Sequence, residues 1–348
     1  MQALQYTAIG VAPEIREVAT PEPGPGEVLL RMTAAGVCHS DEYFMGLPAE
    51  DYGMGLPLTL GHEGAGVVAG LGAGVRGVRE GDAVVVYGAW GCGMCRTCAT
   101  GAENYCLNEA EFKIEWPGLG APGCMAEYML VPSPRHLVPL GDLDPVANVP
   151  LTDAGLTPYH AVRRSWSKLP PGSAAVVIGV GGLGHLAVQI LRATTAARVL
   201  AVDTRLEARE LALGAGADLV VAPDDDAVAT LRAATGGRGA DVVLDFVGAE
   251  STSALGAAVT RFLGDVTVVG IAGGTFPFSF FSQPYEVSIQ TTYWGSRPEL
   301  VEVLDLAARG LLRPTVSTVP LEGAVEAYHR LAAGTALGRQ VVVPSAAG

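Results

Sequence analysis

Four cysteines within fifteen residues constrain the fold of this chain more than any other feature of its sequence. They are Cys92, Cys95, Cys98 and Cys106, separated by gaps of two, two and seven residues. The short gaps let the backbone turn so that successive sulfurs face one ion, and the longer gap returns a fourth sulfur to close a tetrahedral shell. The spacing predicts a structural zinc site within residues 91–107, because four thiolates leave no position open for chemistry.

Disulfide bonds are the alternative use of these cysteines. Disulfides belong mainly to secreted proteins, and the chain begins without a basic stretch followed by an apolar signal core. We therefore expect a cytoplasmic protein, in which clustered cysteines more often bind metal. Cys124 lies outside the cluster, and we expect it to be a small packed residue.

Length and charge limit the possible partners. A chain of 348 residues suggests two domains. The net charge of −14 and the sequence pI of about 4.8 argue against nucleic acid and against anionic membranes as partners. The most apolar stretch, residues 174–191, is interrupted by glycines and a histidine, so it predicts a buried strand, turn and helix rather than a membrane span.

The pattern of apolar residues changes near residue 155. Before it, short β segments are separated by turns; after it, apolar strands alternate with helical stretches, with strands predicted at 174–179, 199–203, 218–222, 242–245 and 266–271. Such alternation is typical of a parallel sheet covered by helices on both faces. We predict a β-rich domain over residues 1–153 and 293–348, and a doubly wound α/β domain over residues 154–292.

A glycine-rich turn follows the first of those strands. Gly179, Gly181 and Gly184 have G-x-G-x-x-G spacing, with Gly182 and Leu183 between them, and the next strand ends at Asp203. The first glycine permits a tight turn, the second lets a pyrophosphate approach the backbone, and the third allows close packing of helix and strand. The N-terminus of the helix then offers free N–H groups to the phosphate. The alternative is a Rossmann-like core that binds no nucleotide.

The charge at the end of the second strand bears on the choice of nucleotide. Asp203 would accept hydrogen bonds from the adenosine ribose and repel a 2′-phosphate, which favours NAD over NADP. Arg205, two residues further on, would weaken that discrimination if it folded over the ribose.

Three separate fragments carry residues that bind metal ions. They contain Cys38, His62 and Asp153, and three protein ligands with one open position are typical of a catalytic zinc. The spacing alone does not derive this group, because a single Cys, His or Asp is usually structural.

Four motifs follow one another along the chain: Gly-Val-Cys38-His-Ser40-Asp, Gly61-His-Glu-Gly, the cysteine cluster and the glycine turn. With these motifs in this order, the chain resembles the zinc-dependent medium-chain alcohol dehydrogenases over essentially its whole length. Within that family it is most similar to bacterial NAD-dependent secondary alcohol dehydrogenases. The resemblance implies an α/β fold, with a GroES-like β-rich catalytic domain and a doubly wound parallel-sheet Rossmann domain. It also implies two zinc ions per chain and NAD as cofactors.

The resemblance assigns roles around the catalytic zinc. It makes Cys38, His62 and Asp153 the ligands, and it makes Glu63 a neighbour that can approach the metal during ligand exchange. It places Asp41 where a carboxylate orients His62. Many family members have a cysteine where this chain has Asp153, although the secondary alcohol branch has a carboxylate there.

The resemblance also implies the reaction, a reversible oxidation of an alcohol to a ketone or aldehyde. Ser40 would accept the hydroxyl proton. Many members have a histidine at the position of Tyr43, so the proton must leave by another path. His39 would lie near the cofactor pyrophosphate as a weak anchor, while Arg339 either meets the pyrophosphate or is an ordinary surface arginine. The nicotinamide would lie against four further residues, Val247, Gly248, Val269 and Ile271.

The substrate pocket by family position is apolar, which favours hydrophobic alcohols over polyols. Its residues would be Tyr43, Met54, Leu119, Ile271, Tyr293 and Trp294; the alternative is that several are core or interface residues.

Three alternative classes of protein share this fold. A polyol or formaldehyde-type dehydrogenase would require polar or anion-binding residues in the substrate pocket. A non-enzymatic nucleotide-binding relative would have lost Cys38, His62 or Ser40, and a zinc-free quinone reductase would lack both sets of metal ligands.

We expect a homodimer or homotetramer, because family members pair through the nucleotide domain. Residues 276–289, rich in Phe and β-formers, are the candidate edge strand.

Overall fold

The structure is a computed structural model and describes residues 1–276 and 278–344. Its strands are β1 (Gln2–Tyr6), β2 (Glu14–Glu17), β3 (Val28–Gly36), β4 (Leu58–Thr59), β5 (Glu63–Leu71), β6 (Ala83–Val86), β7 (Trp116–Pro117), β8 (Gly120–Ala121), β9 (Tyr128–Val131), β10 (Leu137–Pro139), β11 (Ala174–Ile178), β12 (Arg198–Val202), β13 (Leu219–Val221), β14 (Ala240–Asp245), β15 (Thr260–Val268), β16 (Ser288–Thr291), β17 (Val316–Pro320) and β18 (Arg339–Val343).

The α-helices are α1 (His39–Met45), α2 (Arg96–Ala99), α3 (Glu109–Phe112), α4 (Pro145–Asn148), α5 (Leu156–Arg164), α6 (Gly184–Thr194), α7 (Leu206–Gly214), α8 (Ala227–Ala234), α9 (Glu250–Val259), α10 (Arg297–Ala308) and α11 (Ala324–Ala332). Short 3-10 helices cover Glu103–Tyr105, Pro134–His136, Val149–Thr152, Trp166–Lys168 and Leu321–Gly323. Among the described residues, no helix combines the length and the apolar character needed to cross a membrane.

The chain divides into two compact units. The first comprises Met1–Asp153, Gly295–Ala308 and the described residues from Arg313 onward, and the second comprises Ala154–Trp294 with Arg309–Leu312. Each unit has its own sheet and its own buried core.

The first unit is built on a seven-stranded mixed sheet. Its strand order is β10-β6-β5-β3-β18-β17, with β9 paired to β3. A three-stranded sheet, β2-β1-β4, belongs to the same unit. The core is made by alternate residues of these strands, such as Leu4, Leu30 and Val84, together with the buried face of α11. The alternation of buried and less buried residues along β3 is that of a strand with one face on the core.

The second unit contains a six-stranded parallel sheet in the order β13-β12-β11-β14-β15-β16. This is the order of a doubly wound dinucleotide-binding fold, in which the first and fourth strands, here β11 and β14, lie at the centre on either side of the point where the order reverses. All residues of β11 and β14 are buried, as expected for central parallel strands that helices cover on both faces.

The predicted edge strand over residues 276–289 is wrong for most of its length. Strand β16 begins at Ser288, and residues 278–287 form turns and irregular backbone. Pro284 has no N–H to donate to a neighbouring strand, which opposes pairing in this segment. Pro277 lies outside the described residues.

Candidate active site

The sheet of the first unit brings Cys38 and His62 together. Strands β3 and β5 are antiparallel, and Gly36 at the end of β3 is paired with Glu63 at the start of β5. Cys38 follows the end of β3 and His62 precedes β5, so both lie at one end of the sheet. Asp153 follows the 3-10 helix Val149–Thr152, which packs against both strands.

The three predicted ligand atoms of the catalytic zinc lie within 4.8 Å of one another. Asp153 Oδ2 is 3.6 Å from Cys38 Sγ and 3.7 Å from His62 Nε2. Ligand atoms of a tetrahedral zinc are about 3.3–3.8 Å apart, given zinc–ligand bonds of about 2.0–2.3 Å. The three residues are 4%, 2% and 8% exposed. Sulfur, nitrogen and oxygen donors at these separations fit a zinc ion with one open position.

The electrostatics of His62 also indicate a cation site. Burial alone would lower the pKa of His62, but the charges of Asp41 and Cys38 and hydrogen bonds to the neighbouring carboxylates raise this pKa well above its usual value. A positive charge at the imidazole is therefore stabilised, whether a proton or a metal ion supplies it. A zinc ion bound to Nε2 would be stabilised by the same negative charges of Asp41 and Cys38.

Asp41 lies where the sequence predicts a carboxylate that orients His62. Its Oδ1 is 2.9 Å from His62 Nδ1. Zinc binding through Nε2 requires the ring proton on Nδ1, and this contact fixes that tautomer. The second carboxylate oxygen of Asp41 accepts a hydrogen bond of 2.7 Å from the hydroxyl of Tyr328.

Glu63 and Arg339 form a buried ion pair beside the ligands. Arg339 donates through Nη2 to Glu63 Oε1 at 2.6 Å and through Nε to Oε2 at 3.0 Å, and its Nη2 lies 3.3 Å from Asp153 Oδ2. A Cβ atom at Gly36 would collide with the carboxylate of Glu63, so glycine makes room for it. Burial raises the pKa of Glu63, and the charge of Arg339 opposes that shift. Arg339 is 3% exposed, so its interpretation as an ordinary surface arginine is wrong.

The first turn of α1 carries the other residues predicted near the reaction. The Ser40 hydroxyl is 3.6 Å from Cys38 Sγ. His39 is exposed, and its Nε2 lies 4.0 Å from Glu42 Oε2. Tyr43 is about half exposed. Cys38, Ser40 and Asp41 are adjacent in the sequence, so one helix start positions a ligand, a hydroxyl and an orienting carboxylate.

The four clustered cysteines also form a metal-binding group, with sulfur atoms all within 4.8 Å. Cys92 Sγ and Cys98 Sγ are 3.9 Å apart, far longer than a disulfide bond of about 2.05 Å, and all six cysteines are free. Backbone amides of Cys92, Cys95 and Leu107 donate to sulfurs of the cluster at 3.3–3.4 Å. Four thiols with no open position fit a structural zinc.

The surroundings of the cluster favour thiolates unevenly. Hydrogen bonds, chiefly from Thr97 and from the amides of Cys98 and Leu107, lower the pKa of Cys95 to about 5. Burial raises the pKa of Cys98 to about 12. Thiolates are the metal-binding form, so a cation is needed to keep all four sulfurs ionised together.

Arg135 stabilises the segment that contains the four cysteines. Its Nη2 donates to Gly91 O and to Glu103 Oε2, the latter at 2.8 Å.

The glycine turn has the geometry that its spacing predicts. Gly179 has φ of +85°, and a Cβ there would lie 2.6 Å from Val247 Cγ2. A Cβ at Gly184 would overlap the carbonyl oxygen of Gly179, which reflects close packing of α6 against the strand end. A Cβ at Gly181 would meet nothing within 4 Å. That open space is where a pyrophosphate would approach the backbone, so the turn fits NAD.

Asp203 is held at the end of β12 by the turn itself. Its Oδ2 accepts a hydrogen bond of 2.7 Å from the amide of Val180, and its Oδ1 accepts one of 2.9 Å from the amide of Arg205. Arg205 Nε is 3.6 Å from the same oxygen. The arginine therefore lies beside the carboxylate that would bind the ribose, as its sequence position suggests.

Residues predicted to face the nicotinamide lie at the ends of β14 and β15. Amides of Val247 and Gly248 donate to Asp245 Oδ1 at 2.9 and 3.0 Å, and the amide of Val269 donates to Asp245 O at 2.7 Å. One carboxylate thus shapes both strand ends. Ile271 follows, and it is 47% exposed.

The six predicted pocket residues differ in exposure and are divided between the units. In the first unit Tyr43 is exposed and Met54 and Leu119 are partly buried; in the second Ile271 and Tyr293 are exposed, whereas Trp294 is buried. Sequence reasoning missed Tyr328 altogether and did not foresee the ion pair of Arg339. Neither residue belongs to a local motif, and both follow Asp41 by more than 280 positions.

The fold and the two metal-binding groups define a zinc-dependent dehydrogenase that binds a dinucleotide. The family profile described as "Alcohol dehydrogenase GroES-like domain" matches residues 24–142, and that described as "Zinc-binding dehydrogenase" matches residues 182–309. The chain is 38% identical to the NAD-dependent alcohol dehydrogenase of Sulfurisphaera tokodaii, over 99% of this chain and all of that protein. It is 35% identical to the D-arabinose 1-dehydrogenase (NADP(+)) of Saccharolobus solfataricus, over 95% of this chain and 94% of that protein.

The structural comparison agrees with the sequence comparison. The alcohol dehydrogenase of the hyperthermophilic archaeon Aeropyrum pernix superposes with a TM-score of 0.91 at 35% identity, covering 99% of this chain and 100% of the other. The chain therefore belongs to the zinc-dependent medium-chain alcohol dehydrogenases. Membership confirms the predicted fold class, the predicted enzyme class and the predicted cofactors, zinc and NAD.

Proposed function

We propose that this enzyme interconverts hydrophobic secondary alcohols and ketones with NAD(H). The observation that carries the proposal is the buried group of Cys38, His62 and Asp153, whose ligand atoms lie within 4.8 Å of one another, with the Ser40 hydroxyl next to Cys38. A bound zinc ion supplies a Lewis acid that lowers the pKa of an alcohol hydroxyl and polarises a ketone. The protein contributes the orientation of the reactants and the groups that move the proton.

Ser40 is the proton acceptor in this proposal. Its place in the first turn of α1 puts a hydroxyl 3.6 Å from Cys38 Sγ, one of the three ligand atoms. Asp41 keeps the proton of His62 on Nδ1, so the Nε2 lone pair stays available to zinc. Arg339 neutralises part of the negative charge of Glu63 and Asp153.

We assign the catalytic role to the first unit and the nucleotide-binding role to the second. The open space at Gly181 and the position of Asp203 support this division. Residues of the second unit that we propose to bind NAD are Gly179, Gly181, Gly182, Leu183, Gly184, Asp203, Val247, Gly248, Val269 and Ile271.

The test is the formation of NADH by purified protein with 2-propanol, 1-phenylethanol, ethanol, sorbitol and D-arabinose, each with NAD and with NADP. We expect the secondary alcohols with NAD to give the highest kcat/KM. Removal of zinc by a chelator should abolish turnover, and added zinc should restore it. Equal turnover after complete removal of the catalytic metal would contradict the proposed mechanism.

Two variants at one position test the proton acceptor. Ser40→Ala removes the hydroxyl, and general acid–base groups contribute about 100- to 10,000-fold to rate, so kcat should fall within that range while zinc content is unchanged. Ser40→Thr keeps a hydroxyl and is the matched control, which should retain most activity. Wild-type kcat in Ser40→Ala would remove Ser40 from the mechanism.

Sugars are the second candidate substrate class, because a relative of 35% identity is a D-arabinose 1-dehydrogenase. The apolar character of Met54 and Leu119, in the first unit, favours hydrophobic alcohols instead. D-arabinose in the panel separates the two. A kcat/KM for D-arabinose above that for 1-phenylethanol would assign the enzyme to sugars.

We further propose that the enzyme is a homo-oligomer that pairs through the second unit. Strand β16 is at one edge of the parallel sheet and pairs with β15. Phe262 of β15, Phe280 and Phe281 are 63%, 74% and 85% exposed. Exposed apolar patches and open edges favour association. Light scattering after size-exclusion chromatography should give a dimer or tetramer, and a monomer at micromolar concentration would contradict the proposal.

A further inference from the structure

We propose that Tyr328 is a positioning residue for the catalytic metal, acting through Asp41 on His62. The inference rests on the zinc site proposed above and adds a third link to it. The hydroxyl of Tyr328 donates to Asp41 Oδ2 at 2.7 Å, and Asp41 Oδ1 is 2.9 Å from His62 Nδ1. Both oxygens of one buried carboxylate are therefore used, one by the imidazole and one by the phenol.

The carboxylate of Asp41 needs the second donor. Its side chain is fully buried, and a buried ionised oxygen without a hydrogen bond is costly. If Tyr328 did not donate to Oδ2, the carboxylate would lose a charge-assisted hydrogen bond of the stronger kind. It would then be free to rotate, and rotation would weaken its hold on the Nδ1 proton of His62.

Tyr328 is itself a fixed donor. It lies on α11, whose buried face consists of Ala324, Ala327, Tyr328 and Leu331, and α11 packs against α1, which contains Asp41. Gln340 of β18 donates through Nε2 to Ala327 O at 2.7 Å. This hydrogen bond fastens α11 to β18, which pairs with β3. Burial and the charge of Asp41 raise the pKa of Tyr328 well above its usual value, so the phenol keeps its proton at neutral pH.

The chain of contacts therefore runs from the helix α11 to the metal ligand without a gap. The phenol orients the carboxylate, the carboxylate orients the imidazole, and Nε2 faces Asp153 Oδ2 at 3.7 Å. Groups that directly orient a metal-bound imidazole change metal affinity by about 10- to 100-fold when removed. One link further away, we expect about a 3- to 10-fold loss of zinc affinity in Tyr328→Phe.

The experiment measures the release of catalytic zinc to a chelator from the holoenzyme, for wild type, Tyr328→Phe and Tyr6→Phe. Tyr6 is the matched control, because it is also buried in the first unit and its hydroxyl donates to Met45 O at 2.9 Å rather than to Asp41. We expect a 3- to 10-fold weaker site only in Tyr328→Phe. Wild-type affinity in Tyr328→Phe, or an equal loss in both variants, would overturn the proposal.

A double-substitution cycle tests whether Tyr328 acts through Asp41. If it does, Tyr328→Phe should have no further effect on zinc affinity in an Asp41→Asn background; independent, multiplying losses would overturn the coupling.

Cys38→Ser distinguishes a failure of the proposed zinc site from a failure of the proposed role of Tyr328. If Cys38→Ser retains both zinc ions, the metal site is wrong and the role of Tyr328 with it. If it loses one ion while Tyr328→Phe keeps wild-type affinity, only the role of Tyr328 is wrong.

Discussion

Arg339 contacts both Glu63 and Asp153. Its side chain and that of Glu63 are 3% and 0% exposed, so the pair lies in a region where an uncompensated charge is expensive. The ion pair also explains how a carboxylate can sit next to a metal ligand without repelling it. The surface pair of Arg192 and Asp218, 48% and 34% exposed, provides a contrast within the same protein.

We expect Arg339→Met to lower the free energy of unfolding by about 3–5 kcal/mol, because it leaves a buried carboxylate without its partner. Urea denaturation of the zinc-loaded protein measures the change. Arg192→Met is the control and should cost about 0–1 kcal/mol, as exposed pairs do. Adding Glu63→Gln to Arg339→Met should recover part of the loss; similar effects of Arg339→Met and Arg192→Met would show that the buried pair is unimportant.

His136 is a buried imidazole outside both metal groups. It packs against Trp90, with ring centroids 5.3 Å apart. Burial, together with the charges of Arg135 and Arg297, lowers the pKa of His136 to about 3, whereas an unfolded histidine has a pKa of about 6.5. Below the unfolded pKa, the unfolded chain binds a proton that folded His136 does not, so stability present above about pH 6.5 is lost as the pH falls toward 3.

Between about pH 7.5 and about pH 5.5, wild type should therefore lose about 1.4 kcal/mol more stability than His136→Gln. Urea unfolding at the two pH values gives this difference, in which contributions of other groups cancel. His329→Gln, at a side chain that is 66% exposed, is the control for removing an imidazole from the surface. An identical pH dependence in His136→Gln and wild type would refute the assignment.

At the scale of elements, short segments position the chemistry. The ends of β3 and β5 place Cys38 and His62, the first turn of α1 places Ser40 and Asp41, and the turn before α6 opens the nucleotide site. The end of β3 depends on Gly36, where a Cβ would collide with Glu63, and the turn before α6 leaves open space at Gly181.

The glycine turn offers a test with two nearly adjacent positions. Gly181→Ala adds a Cβ with nothing within 4 Å, so the thermal midpoint should hardly change while the affinity for NAD falls, because the methyl group occupies the space of the pyrophosphate. Gly184→Ala drives a Cβ into the carbonyl of Gly179, so it should lower the thermal midpoint. Thermal denaturation and NAD titration measure both; unchanged NAD affinity in Gly181→Ala would mean that the pyrophosphate lies elsewhere.

Sequence patterns predicted structure correctly where all the residues of the pattern lie in one continuous segment. The alternation after residue 155 predicted the parallel sheet, and the spacing of four cysteines predicted a group that the fold does assemble. The triad of Cys38, His62 and Asp153 needed family resemblance, because its members come together only through the pairing of β3 with β5 and a distant 3-10 helix. Tyr328 was beyond either approach, and the resemblance singled out Arg339 without its ion pair. Both contacts join α11 or β18 to the distant metal-site segments. The edge strand failed because apolar content was counted and Pro284 was not.

At the scale of the whole molecule, two units divide the chemistry. The first contains both groups that fit zinc, and the second contains the turn that fits a dinucleotide. The net charge of −14 is offset locally at the metal ligands by Arg339.

The central claim is that Cys38, His62 and Asp153 hold a catalytic zinc that is distinct from the structural zinc of the four clustered cysteines. The most direct test is the zinc content per chain of Cys38→Ser, measured beside its NADH formation, with Cys124→Ala as the cysteine control. We predict two zinc ions and normal turnover in wild type, two zinc ions in Cys124→Ala, and one zinc ion with no turnover in a folded Cys38→Ser. Two zinc ions and wild-type turnover in Cys38→Ser would contradict the account.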